Sequence, residues 1–283
     1  MNIYPIETGN FKLDGGAMFG VVPKSIWQRT NPADSNNMCS WSMRCLLIED
    51  GNRLMLIDTG IGDKQSEKFF SYYFLFGEET LKQSIENVGF SLDEITDVFL
   101  THLHFDHCGG AIKRNGEKGF VPVFKNATYW SNERHWKWAT EPNQREKASF
   151  LAENILPIQE SGQLKFINRQ ADLTTNVFPN IDVMFVDGHT DSQQLPIINY
   201  EGKKIVFMAD LLPSVGHIPL AYVMGYDTRP LITLAEKDLF LRKAVEEEYI
   251  LFLEHDHANE CCTLKMTEKG VRLDKTFSLK EIM

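Results

Sequence analysis

Cysteine is scarce: five residues in 283, an odd number and without a C-x-x-C pair. That makes a disulfide framework a poor reading and a reducing cytoplasm the expected compartment. Long apolar runs are missing too. Stretches such as Val98 to Leu100 and Ile250 to Leu253 fall far short of the roughly 18 residues needed to cross a bilayer, so no membrane span is expected. The opening MNIYPIETGNFKLD has no basic segment ahead of an apolar one and does not read as a secretory signal. There is no Lys/Arg run, and the formal net charge of −10 opposes binding to phosphate backbones, so nucleic acid is not an expected partner. No Pro/Ser-rich linker and no fixed repeat divide the chain. With 43% hydrophobic and 24% charged residues, it reads as one α/β domain over 1–283, and disorder, collagen and coiled coil are excluded.

Short β-branched, aliphatic or aromatic runs ending in Gly, Asp or Asn predict strands at 44–49, 53–58, 97–101, 127–130, 182–186, 195–200, 203–209, 249–253, 263–267 and 270–274. Asp50-Gly51-Asn52 and Glu201-Gly202 predict hairpin turns, because Gly supplies positive φ. Helical patterns cover 78–88, 131–139, 145–156 and 232–247. The acidic run Glu246 to Glu248 reads as a solvated helix face. Two long segments remain, 15–42 and the aromatic-rich 61–77 with Phe69, Phe70, Tyr72, Tyr73, Phe74 and Phe76. Loops of this length are often lids. A packed satellite core, a homodimer surface and an apolar substrate wall are all open readings of the aromatics.

The chemistry concentrates in Thr101-His102-Leu103-His104-Phe105-Asp106-His107-Cys108-Gly109-Gly110, which holds three of the eight histidines and a carboxylate after an apolar strand. In extended chain, His102 and His104 point to one side. A turn beginning after Phe105 aims Asp106 and His107 at a neighbouring point, so one loop serves two metal ions. Gly109 and Gly110 are expected to let the following backbone approach the metals without Cβ clashes. Further candidates stand at strand ends: His189 in Asp187-Gly188-His189-Thr190, Asp210 after Met208-Ala209, and His255 or His257 in Glu254-His255-Asp256-His257. Both late histidines are open on spacing, and the position next to the strand favours His255. His135 reads as structural, and Cys108 as a small buried residue.

The order H-x-H-x-D-H, G-H-T, A-D and E-H-D, with Asp58-Thr59-Gly60 early in the chain, resembles the metallo-β-lactamase superfamily. The resemblance implies a four-layer αββα sandwich, an α/β fold of α+β type, with a two-metal site at one sheet edge. It implies that His102, His104 and His189 hold one metal, that Asp106, His107 and His255 hold the other, and that Asp210 bridges them. Imidazole and carboxylate donors without thiolate suit two divalent ions, zinc first, with iron, cobalt or manganese tolerated. Hydrolysis is the reaction class such a pair serves.

Superfamily members that hydrolyse antibiotics typically place cysteine where this chain has Asp210. Glyoxalase II shares the first motif and the aspartate, but its anionic thioester calls for C-terminal Lys/Arg, and here a lone Arg272 and scattered lysines stand. The segment Ala209 to Pro219, followed by Tyr222 to Asp227, resembles the quorum-quenching N-acyl-homoserine lactonases and their organophosphate-hydrolase relatives. That resemblance implies a small-molecule substrate with an apolar acyl chain, a lactonase first and a phosphotriester or thioester hydrolase as the alternative. It makes Asp106, Asp210 and Tyr222 the candidate catalytic residues. Tyr222 or Tyr226 would replace a tyrosine that some lactonases carry where Pro213 stands. Met18, Trp27, Phe69, Phe70 and His217 are the candidate pocket residues.

Overall fold

The computed structural model describes residues 1–116 and 119–282. The chain forms two compact units, one from Met1–Asn10 with Met43–Arg169, the other from Phe11–Ser42 with the chain from Gln170 onward.

The first unit is built on a six-stranded mixed sheet, in the order β1 (Asn2–Asp14), β2 (Met38–Asp50), β3 (Arg53–Ile57), β4 (Asp97–Phe99), β5 (Thr128–Ser131) and β6 (Leu164–Phe166). The first two strands begin or end in the second unit. β2 and β3 are antiparallel, closed by the Asp50–Arg53 pair with Gly51 at φ 62°, whereas β3, β4, β5 and β6 run parallel. Their aliphatic stretches need burial, and Leu47, Leu56, Val98, Leu100 and Tyr129 share one core with Cys45 and Cys108. Helices α1 (Leu81–Asn87), α2 (Phe105–Cys108), α3 (Glu133–Thr140) and α4 (Ala152–Glu160) accompany them, with one further turn of helix at Glu67–Phe70. A two-stranded hairpin pairs Ile112–Asn115 with Gly119–Pro122.

The second unit carries a seven-stranded sheet, in spatial and chain order alike: β7 (Leu173–Phe178), β8 (Ile181–Val186), β9 (Gln193–Tyr200), β10 (Lys203–Phe207), β11 (Ile250–Phe252), β12 (Cys261–Thr267) and β13 (Gly270–Phe277). Every pairing is antiparallel except β10 with β11, the one connection that contains the long helix α5 (Pro230–Glu246). Such a parallel return requires a crossover. The β9–β10 turn has Glu201 at φ 49° and Gly202 at φ 78°, both in the left-handed region that a two-residue hairpin needs.

The predicted strands and the helices at 78–88, 131–139 and 232–247 all have counterparts, with shifted ends. Five strands were not legible: β1, β6, β7 and the two partners of the hairpin. β1 carries Pro5 and polar residues between Ile3, Ile6 and Phe11, a pattern permitted only because it lies at the sheet edge. The helix expected over 145–156 starts later, at Ala152. Asn143 Oδ1 accepts the N–H groups of Arg145 and Glu146, and Ser149 gives its carbonyl to the N–H of Phe105, so those groups serve turns instead. The segment 15–42 includes two short helices, Gly15–Phe19 and Lys24–Trp27, before β2 begins. All five cysteines are free and buried, and among the described residues no helix is long and apolar enough to cross a membrane.

Candidate metal centre

In the first unit, β3 and β4 end side by side and deliver two loops to one place. Asp58, buried at φ 57°, accepts the Thr101 N–H at 2.8 Å and the Thr101 hydroxyl at 2.6 Å, and faces His107 Nδ1 at 3.1 Å. Thr59 adds its N–H and hydroxyl to the His107 carbonyl, at 2.7 and 2.9 Å. Leu103, between the first two histidines, donates its N–H to His135 Nε2 at 2.9 Å. His104 Nε2 lies 3.5 Å from Glu146 Oε1, and that buried carboxylate receives Trp138 Nε1 and Asn143 Nδ2. Gly109 and Gly110 do not serve the role expected of them. A Cβ on Gly109 would stand 2.1 Å from the Ile61 carbonyl oxygen, and one on Gly110 2.1 Å from that of Thr59. They admit the 59–61 backbone, not the metals.

In the second unit, β8 runs into 187–191, which α5 grips. Glu236 accepts the N–H groups of Asp187 and Gly188 at 2.6 and 3.0 Å, Arg229 donates to the Asp187 carbonyl and pairs with Asp191, and Thr233 occupies the space a Cβ on Gly188 would need. His189 therefore emerges from a fixed backbone, and its Nδ1 meets Asp227 Oδ1 at 2.9 Å. Asp210 follows β10 in a tight turn where Ala209 has φ 39°. Its Oδ2 lies 3.0 Å from His189 Nε2 and its Oδ1 3.0 Å from His255 Nε2. His255 follows β11, with Nδ1 2.8 Å from the Ser42 carbonyl and the Ser42 hydroxyl on the Glu254 carbonyl. His257 is exposed and outside these contacts, which leaves His255 as the inward histidine.

Hydrogen accounting shows what the arrangement accepts. The Thr101 hydroxyl gives its single hydrogen to Asp58, so His102 Nδ1, 3.2 Å from that oxygen, is the donor there and Nε2 is left as a lone pair. His104 turns Nε2 to a carboxylate, which leaves Nδ1, and these two remaining nitrogens stand 3.0 Å apart. His189 and His255 each spend the Nδ1 hydrogen on an oxygen and point Nε2 at an oxygen of Asp210. His107 does the same with Asp58, its Nε2 3.8 Å from Asp106 Oδ2. Lone pair facing lone pair is repulsive unless a cation lies among them, so the donor set fits divalent ions. Burial disfavours a charged His189, yet Asp210 and then Asp227 outweigh it and push this imidazole up to about 10, the same preference for positive charge.

The first unit brings His102, His104, Asp106 and His107 together, and the second His189, Asp210 and His255. These are two buried His/Asp clusters of the kind a dinuclear metal site requires.

Other expected site residues fall elsewhere. Tyr222 lines a cavity of about 420 Å³ with Asp238, Arg242, Met266 and Arg272, and none of the candidate metal ligands borders it. Tyr226 is exposed. Met18 and Trp27, each 2% exposed, are packed inside, with Trp27 stacked on Phe19 and lying over Gly15, so neither walls an open groove. His217 is a satisfied structural histidine: Ser214 Oγ lies 2.8 Å from Nδ1, the Met18 carbonyl 2.9 Å from Nε2, and Phe19 stacks on its ring. Phe69 is the exception, edge-on to Phe105 with centroids 5.3 Å apart and in contact with Phe70. Beside it Tyr73 lies 4.7 Å from Phe105, its phenol pushed up to about 12 by burial and then by Asp106. Asp227, Glu146 and Glu236 were not found by sequence reasoning, because each meets its partner from a remote position with no spacing rule to announce it.

Comparison with known proteins agrees. The metallo-beta-lactamase superfamily model matches residues 44–255. An N-acyl homoserine lactonase of Bacillus thuringiensis is 23% identical over 273 residues, covering 91% of this chain and 94% of that protein. A probable metal-dependent hydrolase from Staphylococcus aureus is 27% identical, with a TM-score of 0.87 over 98% of this chain and 96% of that one. AidC, a dizinc quorum-quenching lactonase, superposes with a TM-score of 0.78 at 21% identity, over 97% and 94% of the two chains. With two mixed sheets, flanking helices and a histidine-rich dimetal site, the chain belongs to the metallo-β-lactamase superfamily and is a metal-dependent hydrolase.

Proposed function

We propose that the chain opens the ring of N-acyl-homoserine lactones. The carrying observation is Asp210, whose two carboxylate oxygens each face a different histidine at 3.0 Å, which supports a role between two ions. Full-length likeness to proteins named as such lactonases supports the substrate class. His102, His104 and His189 would hold one ion, Asp106, His107 and His255 the other, and Asp210 both; zinc is the proposed metal. When bound, the pair supplies a water of lowered pKa and Lewis acidity toward the carbonyl.

This chain's own groups do the rest. In the ring opening, a water oxygen bonds to the lactone carbonyl carbon, the ring C–O bond breaks, and the departing oxygen leaves as a hydroxyl. Asp106, whose carboxylate is the least buried of the set, takes the proton from the water and returns it to that oxygen. Phe69 and Tyr73, seated on Phe105 beside Asp106, form an apolar wall for the acyl chain. Each methylene laid on such a wall contributes about 0.8 kcal/mol. Phe69→Ala is therefore expected to lower kcat/KM for a decanoyl substrate more than for a butanoyl one; an unchanged ratio removes this wall from the reading.

The deciding experiment is ring opening of a long-chain N-acyl-homoserine lactone by zinc-loaded protein beside Asp210→Asn. Turnover that the variant loses supports the proposal. No turnover from protein carrying two metals per chain overturns it and turns attention to phosphotriesters and thioesters.

A further inference from the structure

Lys237 lies midway along α5 and is 1% exposed. A buried ammonium is costly unless its charge and hydrogens are answered. Here Nζ donates at 2.7 Å to the carbonyl of His217 and at 2.7 Å to that of Tyr222, while the carbonyls of Pro219 and Leu220 stand at 3.3 and 3.4 Å. Four acceptors from one six-residue stretch thus turn inward around a single cation. The stretch is anchored on its other side as well: the His217 ring binds Ser214 and the Met18 carbonyl, and the Gly225 N–H bonds to the Ala17 carbonyl at 2.8 Å. Five residues beyond Tyr222 comes Asp227, the carboxylate that holds His189 Nδ1. Burial pulls the Lys237 amine down to about 7, and the Asp227 charge works against that fall.

We propose that Lys237 is a positioning residue for metal capture: its ammonium gathers the 217–222 carbonyls, and thereby sets Asp227 in place behind His189. The inference rests on His189 being a metal ligand, and not on the lactone as substrate. It also makes the emptied 217–222 cage, in a Lys237→Ala chain, a receptor for a small ammonium ion.

The test compares cobalt affinity, read by chelator competition and by visible absorption, in wild type, Lys237→Met and Lys237→Ala, with folding followed by circular dichroism. Lys237→Met and Lys237→Ala are expected to bind cobalt about 10- to 100-fold more weakly, the range for loss of outer-shell support. Propylammonium is expected to restore most of the affinity of Lys237→Ala in a saturable way and to leave Lys237→Met unchanged. Adding Lys237→Met to Asp227→Asn is expected to weaken binding no further. Wild-type affinity in folded variants overturns the proposal, and so does a loss that ammonium ions never relieve. If neither variant folds, ¹⁵N-lysine spectra of the wild type decide: an exchange-protected ammonium signal is expected, shifted in Asp227→Asn, and a signal absent or unshifted overturns it. Failure of wild type to bind two metals is the separate failure of the metal reading.

Discussion

The proposed ligand histidines are fixed from behind, and the residues behind them differ in kind. Asp58 and Asp227 are carboxylates on Nδ1, Ser42 offers a carbonyl, and Glu146 stands off His104 at 3.5 Å. Removing such support loosens the ligand rather than deleting it. Glu146→Ala is expected to weaken metal binding about 10- to 100-fold, measured by chelator competition, with the other ligands intact. His217 teaches a different lesson. Burial forces its imidazole down to about 3 against an ordinary value of 6.5, so the unfolded chain binds a proton that the folded chain refuses. Stability from this group is complete above pH 6.5 and falls as the pH drops toward 3. Urea unfolding from pH 7 to 4 is expected to show that loss, and His217→Gln, less stable at pH 7, is expected to show a shallower one.

Among the elements, α5 has the widest reach. Its first turns hold 187–191 through Arg229, Thr233 and Glu236, and its middle holds 217–222 through Lys237. Glu236→Ala leaves two backbone N–H groups without their acceptor, a loss of about 1–3 kcal/mol by thermal or urea unfolding, with weaker metal binding alongside. The sequence announced this helix by its apolar spacing, yet said nothing of those duties. Its functional side chains reach segments 15 to 49 residues away, and no local pattern encodes such distances. The ligands were legible for the opposite reason. His102, His104, Asp106 and His107 are crowded into one strand end, and His189, Asp210 and His255 each follow an apolar run. Strands rich in aliphatic residues were equally readable, while β1, with Pro5 in it, and β6, at the other edge, were not.

For the whole molecule, the proposed ligands between 102 and 107 and between 189 and 255 each depend on loops of their own unit, so metal binding is expected to be linked to the folding of each unit. At free metal about a thousandfold above Kd, such linkage adds roughly 4 kcal/mol. Stripping the metal with chelator is expected to lower Tm by about 10 °C, and restoring zinc to recover it, read by scanning calorimetry. An unchanged Tm would mean that the clusters hold no ion worth binding. The end of the candidate metal loop meets main chain directly: Gly62 lies against the Gly109 carbonyl, and Gly109 and Gly110 lie against the carbonyls of Ile61 and Thr59. Main chain rests on main chain there, with no room for even a methyl group. Positions that touch neither ion nor substrate thus tolerate replacement as poorly as the histidines do, and a survey of viable variants would mistake these glycines for catalytic residues.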